Sequence, residues 1–141
     1  MAATRTAAAH WEGSLLEGAG QVTLQSSGLG TYDVTWASRT EEPDGRTSPE
    51  ELIAAAHSTC YSMSLSNVLT KAGTPPTSVD TTAAVTFVPG TGITDVALRV
   101  TGSVPGITAE QFREAAETAK VACPVSKALS VPISLEVQFH D

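Results

Sequence analysis

The chain has 141 residues and 14.5 kDa, 41% of them hydrophobic and 16% charged, which suits a compact domain whose core needs neither a metal nor a disulfide to hold it. Fifteen acidic against eight basic residues give a formal charge of −7 and a pI near 4.8, the wrong sign for a phosphate backbone, so nucleic acid is not an expected partner. Two cysteines, Cys60 and Cys123, are too few for a stapled secreted scaffold or an all-cysteine zinc site. The opening MAATRTAAAHWEG meets Trp11 and Glu12 before any signal-type apolar run, and a reducing cytoplasm is expected.

The first third alternates with period two around Gln21-Val22-Thr23-Leu24 and Tyr32-Asp33-Val34-Thr35-Trp36, between Gly and Ser-Gly turns. This predicts an N-terminal three-strand meander, with Arg39 at the end of its third strand. A polar loop from Thr40 to Thr47 follows, and Ser48-Pro49-Glu50-Glu51 then reads as a helix start: Ser48 at the N-cap, Pro49 at N1, Glu51 closing a capping box. The helix is expected to reach about Lys71, with Gly73 beyond its end. Val79 to Val88 and Ile93 to Val104 read as a hairpin turned at Pro89-Gly90-Thr91-Gly92. Thr108-Ala109-Glu110-Gln111 is a second capping box, opening a helix with Phe112, Ala115, Ala116 and Ala119 on one side and ending before Cys123-Pro124. Pro124 starts a short helix, and Val131 to Phe139 is a final alternating strand. With no repeat or linker, residues 1–141 are expected to form a single α+β domain.

The long helix carries no charge between Leu52 and Thr70. It is about as long as a membrane span, but His57, Ser58, Thr59, Ser62, Ser64, Ser66 and Asn67 spread around every face, so it suits burial in protein and no membrane is expected. One sheet covers only one face of such a helix. The same helix of a second copy is the simplest cover for the rest, which predicts a homodimer.

Both cysteines admit two readings: small buried hydrophobes, or a redox couple. Cys123, at the N-cap of the helix that Pro124 opens, has the better local setting for a thiolate, whereas Cys60 in mid-helix needs a nearby cation. His57 precedes Cys60 by three residues, so the two share a helical face as metal ligands or as base and nucleophile. Glu50 and Glu51 serve as capping charges by default, and Arg39 and Arg46 as surface charges. There is no Gly-x-Ser-x-Gly elbow, phosphate-binding loop or dinucleotide fingerprint, so hydrolase and nucleotide readings on those motifs have no support.

The run Thr47-Ser48-Pro49-Glu50-Glu51-Leu52-Ile53-Ala54-Ala55-Ala56-His57-Ser58-Thr59-Cys60, with Cys123-Pro124-Val125-Ser126-Lys127-Ala128-Leu129 following, resembles the osmotically inducible protein C (OsmC) and organic hydroperoxide resistance (Ohr) family. The opening His10-Trp11-Glu12-Gly13, the Val104-Pro105-Gly106-Ile107 turn and the order of elements fit the OsmC branch. The resemblance implies an OsmC-like fold in an intertwined homodimer: N-terminal meander, long central helix, hairpin, second helix and C-terminal strand. It implies a cysteine peroxidase that reduces organic hydroperoxides to alcohols in stress defence, without metal or cofactor. Carried over by position, Cys60 is the peroxidatic cysteine, Cys123 the resolving one, Arg39 the residue that stabilises thiolate and peroxide, and Glu50 the acid that orients Arg39; Arg46 is the second candidate for the arginine. A dithiol, with lipoyl groups on proteins first in line, is the implied reductant.

Cys60 is then a reasonable nucleophile only if Arg39 lowers its pKa, and ten helical residues separate Glu50 from Cys60 by ~15 Å of rise, so the two are expected from different subunits. Apolar residues such as Leu52, Met63 and Phe112 are candidates for a pocket that favours organic peroxides, or for plain core. Three other readings stand beside the peroxidase: a cysteine hydrolase using Cys60 with His57, a non-catalytic binding module with both cysteines buried, and a zinc site from His57, Cys60 and Cys123.

Overall fold

The structure, a computed structural model, describes all 141 residues, and contacts divide the chain into two units, Met1–Leu52 and Ile53–Asp141. In the first unit the alternating segments pair as the meander expected: β1 (Ala8–Glu12), β2 (Ala19–Thr23) and β3 (Thr31–Val34) lie in the order β1-β2-β3, antiparallel throughout. The third strand is shorter than its period-two pattern predicts. Thr35 leaves the sheet to become an N-cap: its hydroxyl accepts from the Ser38 amide (3.0 Å) while the Ser38 hydroxyl reaches the Thr35 amide (3.0 Å). This reciprocal box opens a short helix, α1 (Trp36–Thr40), so Arg39 stands on a helix and not at a strand end. A serine at N3 takes the part that glutamate or glutamine usually plays, which let the strand alternation dominate the reading.

Helix α2 runs Pro49–Lys71. Ser48 caps it, its hydroxyl accepting from the Glu51 amide at 3.1 Å, but the Glu51 carboxylate takes the Thr47 hydroxyl (2.7 Å) in place of the return bond expected of a full box. At the far end Gly73 adopts φ 83°, the Thr74 amide reaches back to the Leu69 carbonyl (2.9 Å) and the Gly73 amide to that of Thr70 (3.0 Å), a Schellman stop that needs the left-handed residue to be glycine. One residue per turn is buried along the second unit's part of the helix: His57, Tyr61, Leu65 and Leu69. Ala55, Ala56, Thr59, Met63 and Asn67 are exposed in the isolated chain, Met63 at 67%.

The second unit is a three-stranded sheet with helices against it. Strands β4 (Ser78–Val88) and β5 (Gly92–Ser103) form the expected antiparallel hairpin, and β6 (Ile133–His140) adds to the far side of β5 in parallel. A parallel neighbour requires a crossover, which α3 (Ala109–Ala122) and α4 (Pro124–Ala128) supply. Thr108 and Gln111 close the capping box of α3 at 3.1 and 2.9 Å. Val96, Leu98 and Val100 of β5 face the core with Tyr61, Leu65 and Leu69 of α2 and with Phe112, Ala116 and Ala119 of α3. The Tyr61 hydroxyl donates to the Ala116 carbonyl at 2.8 Å, so the buried phenol fixes α2 to α3 while leaving no orphaned hydroxyl.

Phe112 is wholly buried and stacks, tilted, on Phe139 at 5.3 Å between centroids. It is core, not pocket wall. Its ring lies over Gly102, where a Cβ would collide with the Phe112 ring carbons. Gly102→Ala is therefore expected to destabilise the fold by about 1–3 kcal/mol, as overpacking of a close-packed core does, read as a lower urea midpoint at unchanged m-value; an unchanged midpoint would refute this packing.

Candidate active site

The capped α1 and the first turn of α2 bring Arg39 to Glu50. The guanidinium grips the carboxylate in a fork, Nε to Oε1 at 3.0 Å and Nη2 to Oε2 at 2.9 Å. Glu50 is buried, and Arg39 also lies over the Trp36 ring at 5.6 Å, so the guanidinium plane is held from two sides. Arg39 stands in the wall of an apolar cavity of about 420 Å³ bounded by Trp11, Leu15, Val22, Val34, Trp36 and Leu52. Arg46, the second candidate, bonds to Asp44 at 3.3 Å in an exposed loop.

In the second unit Cys60 of α2 and Cys123 at the N-cap of α4 are both free thiols and act on each other. Cys60 is half-buried and Cys123 fully buried. Burial pushes the Cys60 thiol above its ordinary value and Cys123 adds to the rise, against smaller opposing help from the Val125 amide and the Ser64 hydroxyl. Burial also pushes Cys123 upward, but the hydrogen-bond donors around it outweigh this and bring it down: the Ser126 amide, the Cys60 thiol, the Ser126 hydroxyl and the Val125 amide. Within one chain the more acidic thiol is thus Cys123, in keeping with its helix-start position, and the groups that act on Cys60 include no cation.

His57 is wholly buried, one turn before Cys60. Its Nε2 lies 2.8 Å from the Ser126 hydroxyl and its Nδ1 has no partner, while burial lowers its pKa and keeps the ring neutral. The hydrolase reading needs this ring as base to Cys60, but neither ring nitrogen is hydrogen-bonded to that thiol: Nε2 is engaged with Ser126 and Nδ1 has no partner. No group of three or more His, Cys, Asp and Glu is placed to hold a metal ion, so a zinc site at His57, Cys60 and Cys123 finds no support. Leu52 lines the apolar cavity and Met63 is exposed on α2. Ser126 is a polar group here that the sequence did not single out: its partner lies 69 residues away, and a serine in a five-residue helix carries no local signal of that.

The OsmC-like protein family model matches residues 42–138. The chain is 44% identical to Peroxiredoxin OsmC of Escherichia coli (strain K12) over 134 residues, 93% of each protein, and to the same extent to Peroxiredoxin OsmC of Shigella flexneri. It shares its fold with the crystal structure of an organic hydroperoxide resistance protein OsmC from Legionella pneumophila (TM-score 0.69, 20% identity, covering 99% of this chain and 100% of that one). An OsmC-like protein of unknown function from Vibrio cholerae is similar at TM-score 0.75 and 17% identity, covering 96% and 99%. No helix is long and apolar enough to cross a membrane.

The neutral buried ring sets a pH dependence. Its folded-state pKa lies below the ordinary 6.5, so between the two values the unfolded chain binds a proton that the folded chain does not. The His57 contribution is therefore complete above pH 6.5 and is lost as pH falls below it towards the folded value. Urea midpoints taken from pH ~7.5 down to ~5.5 should fall in the wild type and fall less steeply in His57→Gln, and equal slopes would show that His57 titrates as it does in water.

Proposed function

The chain belongs to the OsmC-like protein family, and on that premise we propose that it is a cysteine-based peroxidase that reduces organic hydroperoxides to alcohols. The observation that carries the reading is the pair of free thiols, Cys60 and Cys123, acting on each other in a chain with no other cysteine. In the proposed cycle the Cys60 thiolate attacks the peroxide O–O bond, becomes a sulfenic acid and releases an alkoxide that takes a proton to leave as the alcohol. Arg39, oriented by Glu50, stabilises the thiolate and the departing oxygen. Cys123 then displaces hydroxide from the sulfenic sulfur to form a Cys60–Cys123 disulfide, and a dithiol reductant such as a lipoyl group on a protein reopens it. The apolar cavity with Arg39 in its wall supports a substrate that carries an organic group.

The chain works as a homodimer in this reading, one functional domain per subunit in a reducing cytoplasm. Two observations support the dimer. The exposed side of α2 carries no charge from Ala55 through Asn67, and Glu50 stands ten residues from Cys60 on one helix. A thiol whose own surroundings raise its pKa needs an arginine brought to it, and antiparallel pairing of α2 with its copy supplies Arg39 and Glu50 from the partner subunit.

Titration of reduced protein with one equivalent of cumene hydroperoxide should remove both thiols into an intramolecular Cys60–Cys123 bridge. Cys60→Ser should lose the fast reaction, Cys123→Ser should stop at the sulfenic acid, and Arg39→Met should slow the first step by about 10²–10³. Thiol counts unchanged under excess peroxide would defeat the proposal. Shared sites are tested by mixing: Cys60→Ser and Arg39→Met subunits, each nearly inactive alone, should recover about a quarter of wild-type activity on random exchange, since each mixed dimer holds one intact site. No recovery in verified mixed dimers would place all four groups in one subunit.

A further inference from the structure

The His57–Ser126 pair has no part in the cycle above, and two facts show which way its hydrogen bonds run. The ring is fully buried and neutral, so it carries one N–H, and only Nε2 has a partner, the Ser126 oxygen at 2.8 Å. A proton on Nδ1 would bury an unpaired donor, whereas a proton on Nε2 leaves only a bare acceptor there, the less costly defect. The ring therefore donates to Ser126. The serine hydroxyl, already accepting, turns its own hydrogen to another acceptor. Ser126 is the third residue of α4, three positions after the N-cap Cys123, and its hydroxyl is among the groups that bring the Cys123 thiol down.

We propose that His57 and Ser126 are positioning residues for disulfide closure: the ring N–H holds the Ser126 hydroxyl so that it donates to Cys123 and keeps that sulfur a thiolate aimed at Cys60. The inference rests on the peroxidase reading for the step it serves. In that step the Cys123 thiolate attacks the sulfenic sulfur of Cys60, the S–S bond forms, the S–O bond breaks, and the departing hydroxide takes a proton from water-borne acid to become water. No external oxidant or reductant enters, because the peroxide has already oxidised Cys60. A Cys123 held ready closes the bridge before a second peroxide carries Cys60 on to the sulfinic acid.

The test separates the two chemical steps in the full-length reduced protein. After mixing with one equivalent of cumene hydroperoxide, quenched samples are read by mass spectrometry for dimedone-trapped sulfenic acid and for the disulfide. Ser126→Ala should sulfenylate Cys60 within about twofold of the wild-type rate and close the bridge about tenfold or more slowly, the effect of removing one hydrogen bond to a charged acceptor. Sulfinic acid should accumulate in that variant under excess peroxide, and Ser126→Thr, which keeps the hydroxyl, should restore closure. Closure at the wild-type rate in Ser126→Ala, or slowing of both steps alike, would overturn the proposal. The ring is read without peroxide: ¹⁵N spectra of the wild-type imidazole should show the Nε2–H form of His57, and an Nδ1–H form would overturn the proposal even if the variants fail to fold. A wild-type chain that forms no sulfenic acid at all would instead overturn the peroxidase reading, and the ring spectrum keeps the two failures apart.

Discussion

The molecule depends on the burial of one narrow stripe of α2. His57, Tyr61, Leu65 and Leu69 recur at four-residue spacing, one side chain per turn, and everything packed against them is apolar or individually bonded. The two polar members are anchored across the core, Tyr61 to the Ala116 carbonyl and His57 to Ser126, so the stripe sets the seat of α3 and α4 as well as that of the sheet. Because the stripe is narrow, Cys60 falls beside it and is only half-buried. That placement leaves the Cys60 thiol open to the outside while its neighbour Cys123 stays fully enclosed.

The two thiols differ in environment. Cys123 has donors on several sides and is the easier to ionise; Cys60 has the more open position and the less favourable electrostatics. In the proposed dimer, the partner's arginine, already forked onto a buried glutamate, would correct the second defect with its plane fixed before a substrate arrives, leaving little reorganisation to the reaction.

Much of this was legible in local signals. Ser48-Pro49, Thr108 to Gln111 and the Pro89 to Gly92 turn each predict their element because capping and turn chemistry acts over three or four residues. Thr35 and Ser38 carry the same kind of signal, yet the alternation running through Val34 hid it and set Arg39 on a strand. Non-local pairing was not legible: nothing in Ile133 to His140 tells a parallel neighbour from an antiparallel one, and nothing near His57 points to a serine 69 residues away. Local reasoning singled out both cysteines and favoured Cys123 as thiolate, and the donors around that sulfur act in the same direction. Attack by Cys60 came from the resemblance alone.

The spacing of the two cysteines has a thermodynamic side. They lie 63 positions apart, and the segment between them holds the rest of α2, the hairpin and α3. A bridge closing so long a loop would restrict the unfolded chain by about 4 kcal/mol on the chain-entropy model, so the spent, oxidised enzyme would be harder to unfold than the working one. Stress that outruns the supply of reductant would then leave the protein inactive but toughened, stored as its own sturdier form until dithiols return.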